Sequence, residues 1–278
     1  AVAREPIDLM AYVVRNDRPF TEILTADYTV VNPYSAPLYG VDADFKDPTD
    51  YREFKEAKLS IARDGKKLAI GHAGVLSSPM FLNRFPTTPT NRNRHRARMV
   101  YKMFLATDIL RIGERPIDPT ESLTYQNPTR DDTKCNFCHK QIDPIAGAFQ
   151  NYDDYDMEKL APEREWFPEM FAPGFDGEDM PKSEFPNALP WFATRAAQDP
   201  RFVLATVYTV FRGLTGQEPL AYPGDPEHPQ YGAQLADDLR HHAGALEPVA
   251  QHLLRGAVRR QVDVAVGHHR AVDHQLQL

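Results

Sequence analysis

The residues with the clearest chemistry are the two cysteines of the chain and the histidine that follows them. Two residues separate Cys135 from Cys138, and His139 comes directly after the second thiol. The spacing Cys-x-x-Cys-His is the pattern that attaches c-type haem. Each thiol adds to a vinyl group of the macrocycle to form a thioether, and the histidine is placed beneath the iron as its proximal ligand. We therefore expect one covalent haem c, bound by Cys135, Cys138 and His139.

Three other uses of this pair of cysteines compete with haem attachment. A thioredoxin-like redox pair requires a neighbouring βαβ pattern, which the surrounding sequence lacks. A structural zinc site needs four ligands, and the chain has only 2 cysteines, so no second Cys-x-x-Cys completes it. A disulfide across two residues would be strained. Haem attachment is the interpretation that the motif favours.

Iron in a haem c carrier usually has a methionine or a second histidine opposite the proximal histidine. Met180 lies in the run Gly177-Glu178-Asp179-Met180-Pro181, which resembles the Gly-x-Met-Pro loop of small c-type cytochromes. We predict Met180 as this sixth ligand. The alternatives are Met157, Met170, His95 and His72. An open sixth position is a further alternative, and it would favour enzyme chemistry, with His72 or His95 as the acid or base.

The segment after the motif must supply an apolar wall and a partner for the other ring nitrogen of His139. The apolar side chains expected to wall the macrocycle are Ile142, Ile145, Phe149 and Tyr152. A histidine that binds a metal normally donates its second N–H to a nearby acceptor. The carbonyl of Pro144 is our hypothesis for this acceptor.

Further helices are predicted on both sides of the motif. Asn91 or Asn93 is placed to cap an amphipathic helix in which Val100 and Phe104 share a face. Most of the cations of that helix are expected to point toward water, and pairing with haem propionates is the alternative for them: Arg94, Arg96, Arg98 and Lys102. Asp199 followed by Pro200 predicts the start of a later helix, and Gly216 predicts its end.

Composition sets broad limits on function. The chain has 278 residues, of which 42% are hydrophobic and 26% charged, and its formal net charge is -7. This charge argues against a nucleic-acid partner. No run approaches the eighteen or so apolar residues of a membrane helix. The 24 prolines predict long irregular connections. Because haem c is attached outside the cytoplasm, we expect a periplasmic or otherwise extracytoplasmic location and an export signal upstream of Ala1.

Several short blocks resemble a family of cytochrome-like domains of unknown function that is abundant in planctomycetes and is also found in myxobacteria. The resemblance rests first on Cys-x-x-Cys-His-x-x-Ile-Asp-Pro, followed by Gly147, an aromatic residue and Asn151-Tyr152-Asp153. The supporting blocks run from Asn16 to Tyr28, from Gly74 to Pro79 and from Asp199 to Phe202. Together they cover roughly residues 5–225. The resemblance implies an exported, multidomain protein with one haem c in this part, and it implies no known reaction.

The sequence thus predicts a mainly α-helical, cytochrome c-like haem domain with long irregular connections. We divide the chain into an N-terminal helical segment (1–65), a haem-binding domain (66–225) and a C-terminal tail (226–278). The expected function is one-electron transfer to a redox partner protein, and membership of a larger polypeptide or complex is left open. The alternatives are a haem-dependent peroxidase or other oxidoreductase, and a structural or sensory haem domain of a larger surface protein.

Overall fold

Helices dominate the computed structural model, which describes residues 4–63, 66–112, 125–152 and 166–217. The α-helices are α1 (Glu5–Arg15), α2 (Glu22–Thr25), α3 (Pro79–Arg84), α4 (Arg94–Phe104), α5 (Pro128–Asp131), α6 (Thr133–Ala148), α7 (Ala188–Gln198) and α8 (Pro200–Thr215). Three 3₁₀ turns connect them: Pro37–Tyr39, Ile109–Arg111 and Lys182–Asn187. The predicted mainly α class is confirmed.

The strands of the described residues are short and pair only in twos. They are β1 (Thr29–Val31), β2 (Lys55–Ala57), β3 (Ser60–Arg63), β4 (Lys66–Ala69), β5 (Gly174–Phe175) and β6 (Glu178–Asp179). The pairs β1–β2, β3–β4 and β5–β6 are all antiparallel. No βαβ unit is present in this part of the chain, so the fold context of a thioredoxin-like redox pair is missing there.

The last described helix begins and ends where its sequence signals predict. Asp199 is the N-cap of α8, and its carboxylate accepts a hydrogen bond from the N–H of Arg201 at 2.8 Å. Pro200 occupies the first helical position, where its missing N–H costs nothing. Gly216 ends the helix in the left-handed conformation, with a φ of 68°. The two ends of α8 could be predicted from the sequence because each capping signal acts within a few residues.

One large apolar core joins α1 to the helices around the motif and to α8. Leu9 and Val13 of α1 are buried in it, and Phe20 stacks on Phe202 with ring centroids 4.9 Å apart. Residues of the predicted segments 1–65 and 66–225 therefore share this core. The predicted tail, 226–278, lies outside the described residues, and the segment boundaries stay predictions.

Arg96 corrects the prediction that the cations of α4 point toward water. Its side chain is fully buried and donates hydrogen bonds to the carbonyl oxygens of Phe85 at 2.9 Å and Tyr152 at 2.7 Å. A buried guanidinium is tolerated when its donors are satisfied. Arg96 therefore ties α4 to the chain beyond α3 and to the chain beyond α6. The amphipathic pattern did not anticipate this because it counts charges and cannot see carbonyl partners.

Candidate haem attachment site

The motif lies in the first half of α6. This helix is capped by Asp132, whose Oδ1 accepts a hydrogen bond from the N–H of Lys134 at 2.9 Å. Residues three and four apart lie on the same side of a helix. The helix therefore brings Cys135, Cys138 and His139 onto one stripe of its surface.

Both cysteines are free thiols and only partly buried. Sγ of Cys135 donates to Oδ2 of Asp132 at 3.5 Å, and Sγ of Cys138 faces the carbonyl oxygen of Ile109 at 3.8 Å. Burial and then the hydrogen bond to Asp132 raise the pKa of the Cys135 thiol. A redox-active cysteine requires the opposite, a lowered pKa. The surroundings of Cys135 therefore disfavour a redox dithiol.

The described residues also lack a grouping for a bare metal ion. Nowhere among them do three or more His, Cys, Asp or Glu side chains come together at a distance suited to a shared ion. A structural zinc site, which takes four such ligands, therefore finds no support in this part of the chain.

His139 is held by a carboxylate one turn further along α6. Its Nδ1 lies 3.0 Å from Oδ1 of Asp143. An ionised carboxylate can only accept hydrogen bonds, so Nδ1 carries a proton, and the neutral tautomer that this contact selects has its lone pair on Nε2. The hypothesis that the carbonyl of Pro144 accepts this proton is wrong, because the side chain of the preceding residue occupies that place. The arrangement leaves Nε2 as the ring nitrogen through which His139 could bind a metal.

Asp143 is itself fixed from two directions. Arg94 of α4 donates from Nε to Oδ1 at 2.7 Å and from Nη2 to Oδ2 at 3.3 Å. The N–H of Phe171 lies 3.4 Å from Oδ2. Burial opposes ionisation of this fully buried carboxyl, but the hydrogen bonds from His139 and Arg94 outweigh it and lower the pKa of Asp143. Asp143 is therefore an ionised acceptor for His139.

This partner was missed from the sequence, although a signal for it existed. His139 and Asp143 are spaced i, i+4, which is the spacing at which side chains meet on a helix. The hypothesis named the carbonyl of the next residue, Pro144, which lies inside α6. The second partner, Arg94, is 49 residues away, and no local pattern predicts that pairing.

The four apolar residues expected to wall the macrocycle are buried in the main core. Phe149 is fully buried and stacks on Phe81, with ring centroids 6.2 Å apart. Tyr152 donates its hydroxyl to the carbonyl oxygen of Gly71. Ile142 lies one turn beyond Cys138 and is 8% exposed, so it is the member of the set that continues the motif stripe.

Met180 is buried and is linked through Pro173 to the C-terminal half of α6. Its N–H donates to the carbonyl oxygen of Pro173 at 2.7 Å. Pro173 packs on Gly147, where an added Cβ would lie only 2.6 Å from the proline ring. Gly147 is eight residues after His139, which corresponds to about 12 Å along a helix. These contacts do not bring Met180 next to the motif. Its role as a ligand stays a prediction, and it requires the haem to span the distance of about two helical turns between Gly147 and His139.

The alternative ligands lie in different surroundings. Met170 is buried beside Phe171, whose N–H faces Asp143 on the Nδ1 side of the His139 ring. His95 is exposed on α4, with its ring edge-to-face against Phe85. His72 is buried, and its Nε2 already accepts the N–H of Leu59 at 2.9 Å. Burial lowers the pKa of His72 to about 4. Met157 lies outside the described residues.

One buried guanidinium nitrogen of α4 provides a test of whether the site suits a haem. Nε of Arg98 is buried and has no hydrogen-bond partner among the described residues. Asp108 lies 3.9 Å from it, and the next residue is Ile109, whose carbonyl faces Cys138. A buried N–H donor without an acceptor suits a ligand that carries carboxylates, and haem carries two propionates. The donor set of the site therefore fits the group that the motif predicts.

A separate cleft of about 490 Å³ opens on another face of α6. Lys140 and Pro144 line it from the helix, and Phe171, Phe175 and Asp176 line it from the segment around β5. Neither the two cysteines nor His139 is among its lining residues. The cleft and the motif stripe are therefore distinct features of the same helix.

One family model matches the middle of the chain. Residues 72–159 match the family model described as PSCyt3, a protein of unknown function (DUF1588). This confirms the resemblance to a planctomycete cytochrome-like domain over that stretch, which includes α3, α4 and α6. The blocks around Asn16–Tyr28 and Asp199–Phe202 lie outside the matched residues. No curated protein and no solved structure matches the chain. In the described ranges, no helix combines the length and the apolar character needed to cross a membrane.

Proposed function

We propose that the chain is a c-type cytochrome that carries one covalent haem and transfers single electrons outside the cytoplasm. The observation that carries this proposal is the arrangement on α6. Two free thiols and one histidine share a stripe, and the histidine has its Nδ1 engaged and its Nε2 available. The remaining residues of the cytochrome c-like domain would then serve to bury and tune the group.

Each residue of the motif has a distinct task in this proposal. Cys135 and Cys138 would hold the haem through thioether bonds, each S–H adding across one vinyl double bond so that sulfur bonds to one carbon, the hydrogen goes to the other and no group leaves. His139 would bind the iron through Nε2, while Asp143 holds the proton on Nδ1. When bound, the haem supplies a one-electron change at iron, and the protein sets its potential through the axial ligands and burial.

The far side of the iron is assigned to Met180, as its loop sequence suggests. Met170 is a weaker candidate because its neighbour Phe171 lies on the Nδ1 side of the His139 ring, where its N–H faces Asp143. The iron would lie on the opposite side of the ring, at Nε2. Arg98 is proposed to pair with a haem propionate through its unsatisfied Nε. A redox partner protein completes the function, because a single-haem carrier must receive its electron and pass it on.

One observation favours a second candidate, a haem enzyme with an open sixth position that reacts with peroxide. A carboxylate that accepts the Nδ1 proton makes the imidazole a stronger donor and stabilises the oxidised metal. The pair of His139 and Asp143 meets this condition. Chemistry of this kind also needs an acid or base beyond the iron, and exposed His95 is the histidine available to fill that role.

Ligand binding by the reduced protein separates the two candidates. The full chain is produced in a bacterial host with a haem c maturation system and is then purified from the periplasm. A carrier with six ligands should undergo a reversible one-electron titration and should leave the reduced spectrum unchanged under carbon monoxide. Rapid carbon monoxide binding with a high-spin ferric spectrum would instead support the enzyme.

A further inference from the structure

Hydrogen bonds connect His139 of the motif to two residues outside it, Asp143 and Arg94. Resting on the proposed function, we infer that Asp143 and Arg94 are positioning residues that set the reduction potential of the haem in opposite directions. Asp143 strengthens the donation from His139 to the iron. Arg94 moderates this effect by sharing the charge of the carboxylate.

The geometry of Asp143 supports its half of the inference. Oδ1 accepts from both Nδ1 of His139, at 3.0 Å, and Nε of Arg94, at 2.7 Å. The side chain of Asp143 is 0% exposed, and those of Arg94 and His139 are 20% and 22% exposed, so water screens these interactions less than it would on an open surface. A negative charge that accepts the Nδ1 proton gives the ring partial imidazolate character. It thereby favours the higher oxidation state of the metal and lowers its potential.

The geometry of Arg94 supports the other half. The guanidinium uses two of its donors on the same carboxylate, at 2.7 and 3.3 Å. Bidentate pairs of this kind are strong and fix the orientation of both partners. Because Arg94 draws the charge of Asp143 toward α4, less of that charge remains for His139. The position of α4 against α6 therefore regulates how strongly the proximal ligand donates.

A role limited to packing would give a different outcome. Loss of packing around the haem would disturb the site in the same way whichever partner is removed. The proposed electrostatic role requires opposite signs, since one substitution removes the acceptor charge and the other removes the cation that compensates it. The sign of each potential shift is therefore the informative readout.

The test is a redox titration of four haem-loaded variants of the full chain at mildly alkaline pH. Asp143→Asn keeps the shape of the side chain and should raise the potential. The expected rise shifts the ratio of reduced to oxidised haem by about tenfold at fixed ambient potential, or about 59 mV for one electron. Arg94→Leu should lower the potential, and Arg94→Lys should restore most of the original value. Asp143→Glu tests whether the carboxylate must sit at this distance.

A matched carboxylate–arginine pair elsewhere provides the control. Arg18, which follows α1, donates from Nε to Oε2 of Glu22, the first residue of α2, at 2.7 Å. Glu22→Gln and Arg18→Leu make the same chemical changes away from the motif, and they should leave the potential unchanged. If Asp143→Asn yields no haem protein, the two Arg94 variants carry the test.

The inference is overturned if Asp143→Asn shifts the potential no more than Glu22→Gln, or if Arg94→Leu shifts it upward. Either result would leave a covalent haem in place, so the proposed function would survive. Absence of haem from the wild-type chain would instead reject the proposed function before any potential is measured.

Discussion

Nδ1 of His139 lies 3.0 Å from Oδ1 of Asp143, so the histidine of the attachment motif is oriented by a buried carboxylate of its own helix. The pairing needs only one turn of α6 to form, because the two residues are spaced i, i+4. Its counter-ion, Arg94, arrives with α4 from 49 residues away. The pair of His139 and Asp143 thus forms within one helix, whereas the contact with Arg94 requires the tertiary fold.

The choice between Met180 and Met170 as sixth ligand can be tested with volume-conserving substitutions. Both side chains are buried, so Met180→Leu and Met170→Leu should each cost less than about 1.5 kcal/mol of stability. Only Met180→Leu should remove the weak long-wavelength charge-transfer band of methionine-ligated ferric haem. An intact band in Met180→Leu, with loss of the band in Met170→Leu, would reassign the ligand.

The close packing of α6 on Pro173 predicts a sensitive glycine. A Cβ at Gly147 would lie 2.6 Å from the Pro173 ring, so Gly147→Ala must displace the segment that leads to β5. We expect a loss of about 1–3 kcal/mol in the free energy of unfolding, measured by denaturant titration.

Gly213 provides the matched control for this substitution. It lies in α8 with nothing within 4 Å of an added Cβ. Gly213→Ala should therefore stabilise the protein by up to about 1 kcal/mol through helix propensity. Equal effects of the two substitutions would contradict the packing of Pro173 on Gly147.

Glu5 predicts a stability that depends on pH near neutrality. Burial raises the pKa of Glu5 from 4.5 to about 7, against the opposing hydrogen bonds from Thr29 and Tyr39. A carboxyl whose pKa is higher in the folded state binds its proton more tightly there. Its contribution to stability is therefore complete below pH 4.5 and is lost as the pH rises through 7.

The expected loss from Glu5 is at most about 3 kcal/mol, because each unit of pKa difference corresponds to about 1.36 kcal/mol. Denaturant midpoints measured from pH 5 to pH 8 check this for the wild type. Glu5→Gln, which cannot ionise, should flatten the profile in that interval. A wild-type midpoint that stays constant or rises between these limits would show that Glu5 is not held protonated.

The features predicted correctly from the sequence are those governed by neighbours in the chain. Asp199, Pro200 and Gly216 marked the ends of α8 because caps act within one turn. The free thiols and His139 were readable as a motif because their spacing is itself the signal.

The features that the sequence did not reveal depend on long-range partners. Arg96 was expected to point toward water, yet its side chain is buried. It donates hydrogen bonds to the carbonyl oxygens of Phe85 and Tyr152, which lie outside α4. Arg94 was also assigned to solvent and instead pairs with Asp143. A hydrophobicity pattern treats every arginine alike, whereas burial depends on whether the fold supplies acceptors for its donors.

The most direct test of the account is the mass of the full chain, exported and matured in a host that attaches haem c, measured after acid–acetone extraction. The account predicts a mass equal to the polypeptide plus one haem. It also predicts that the Cys135→Ser, Cys138→Ser double variant has the mass of the bare polypeptide. A colourless wild-type chain at the bare polypeptide mass, with both thiols still open to alkylation, would contradict it.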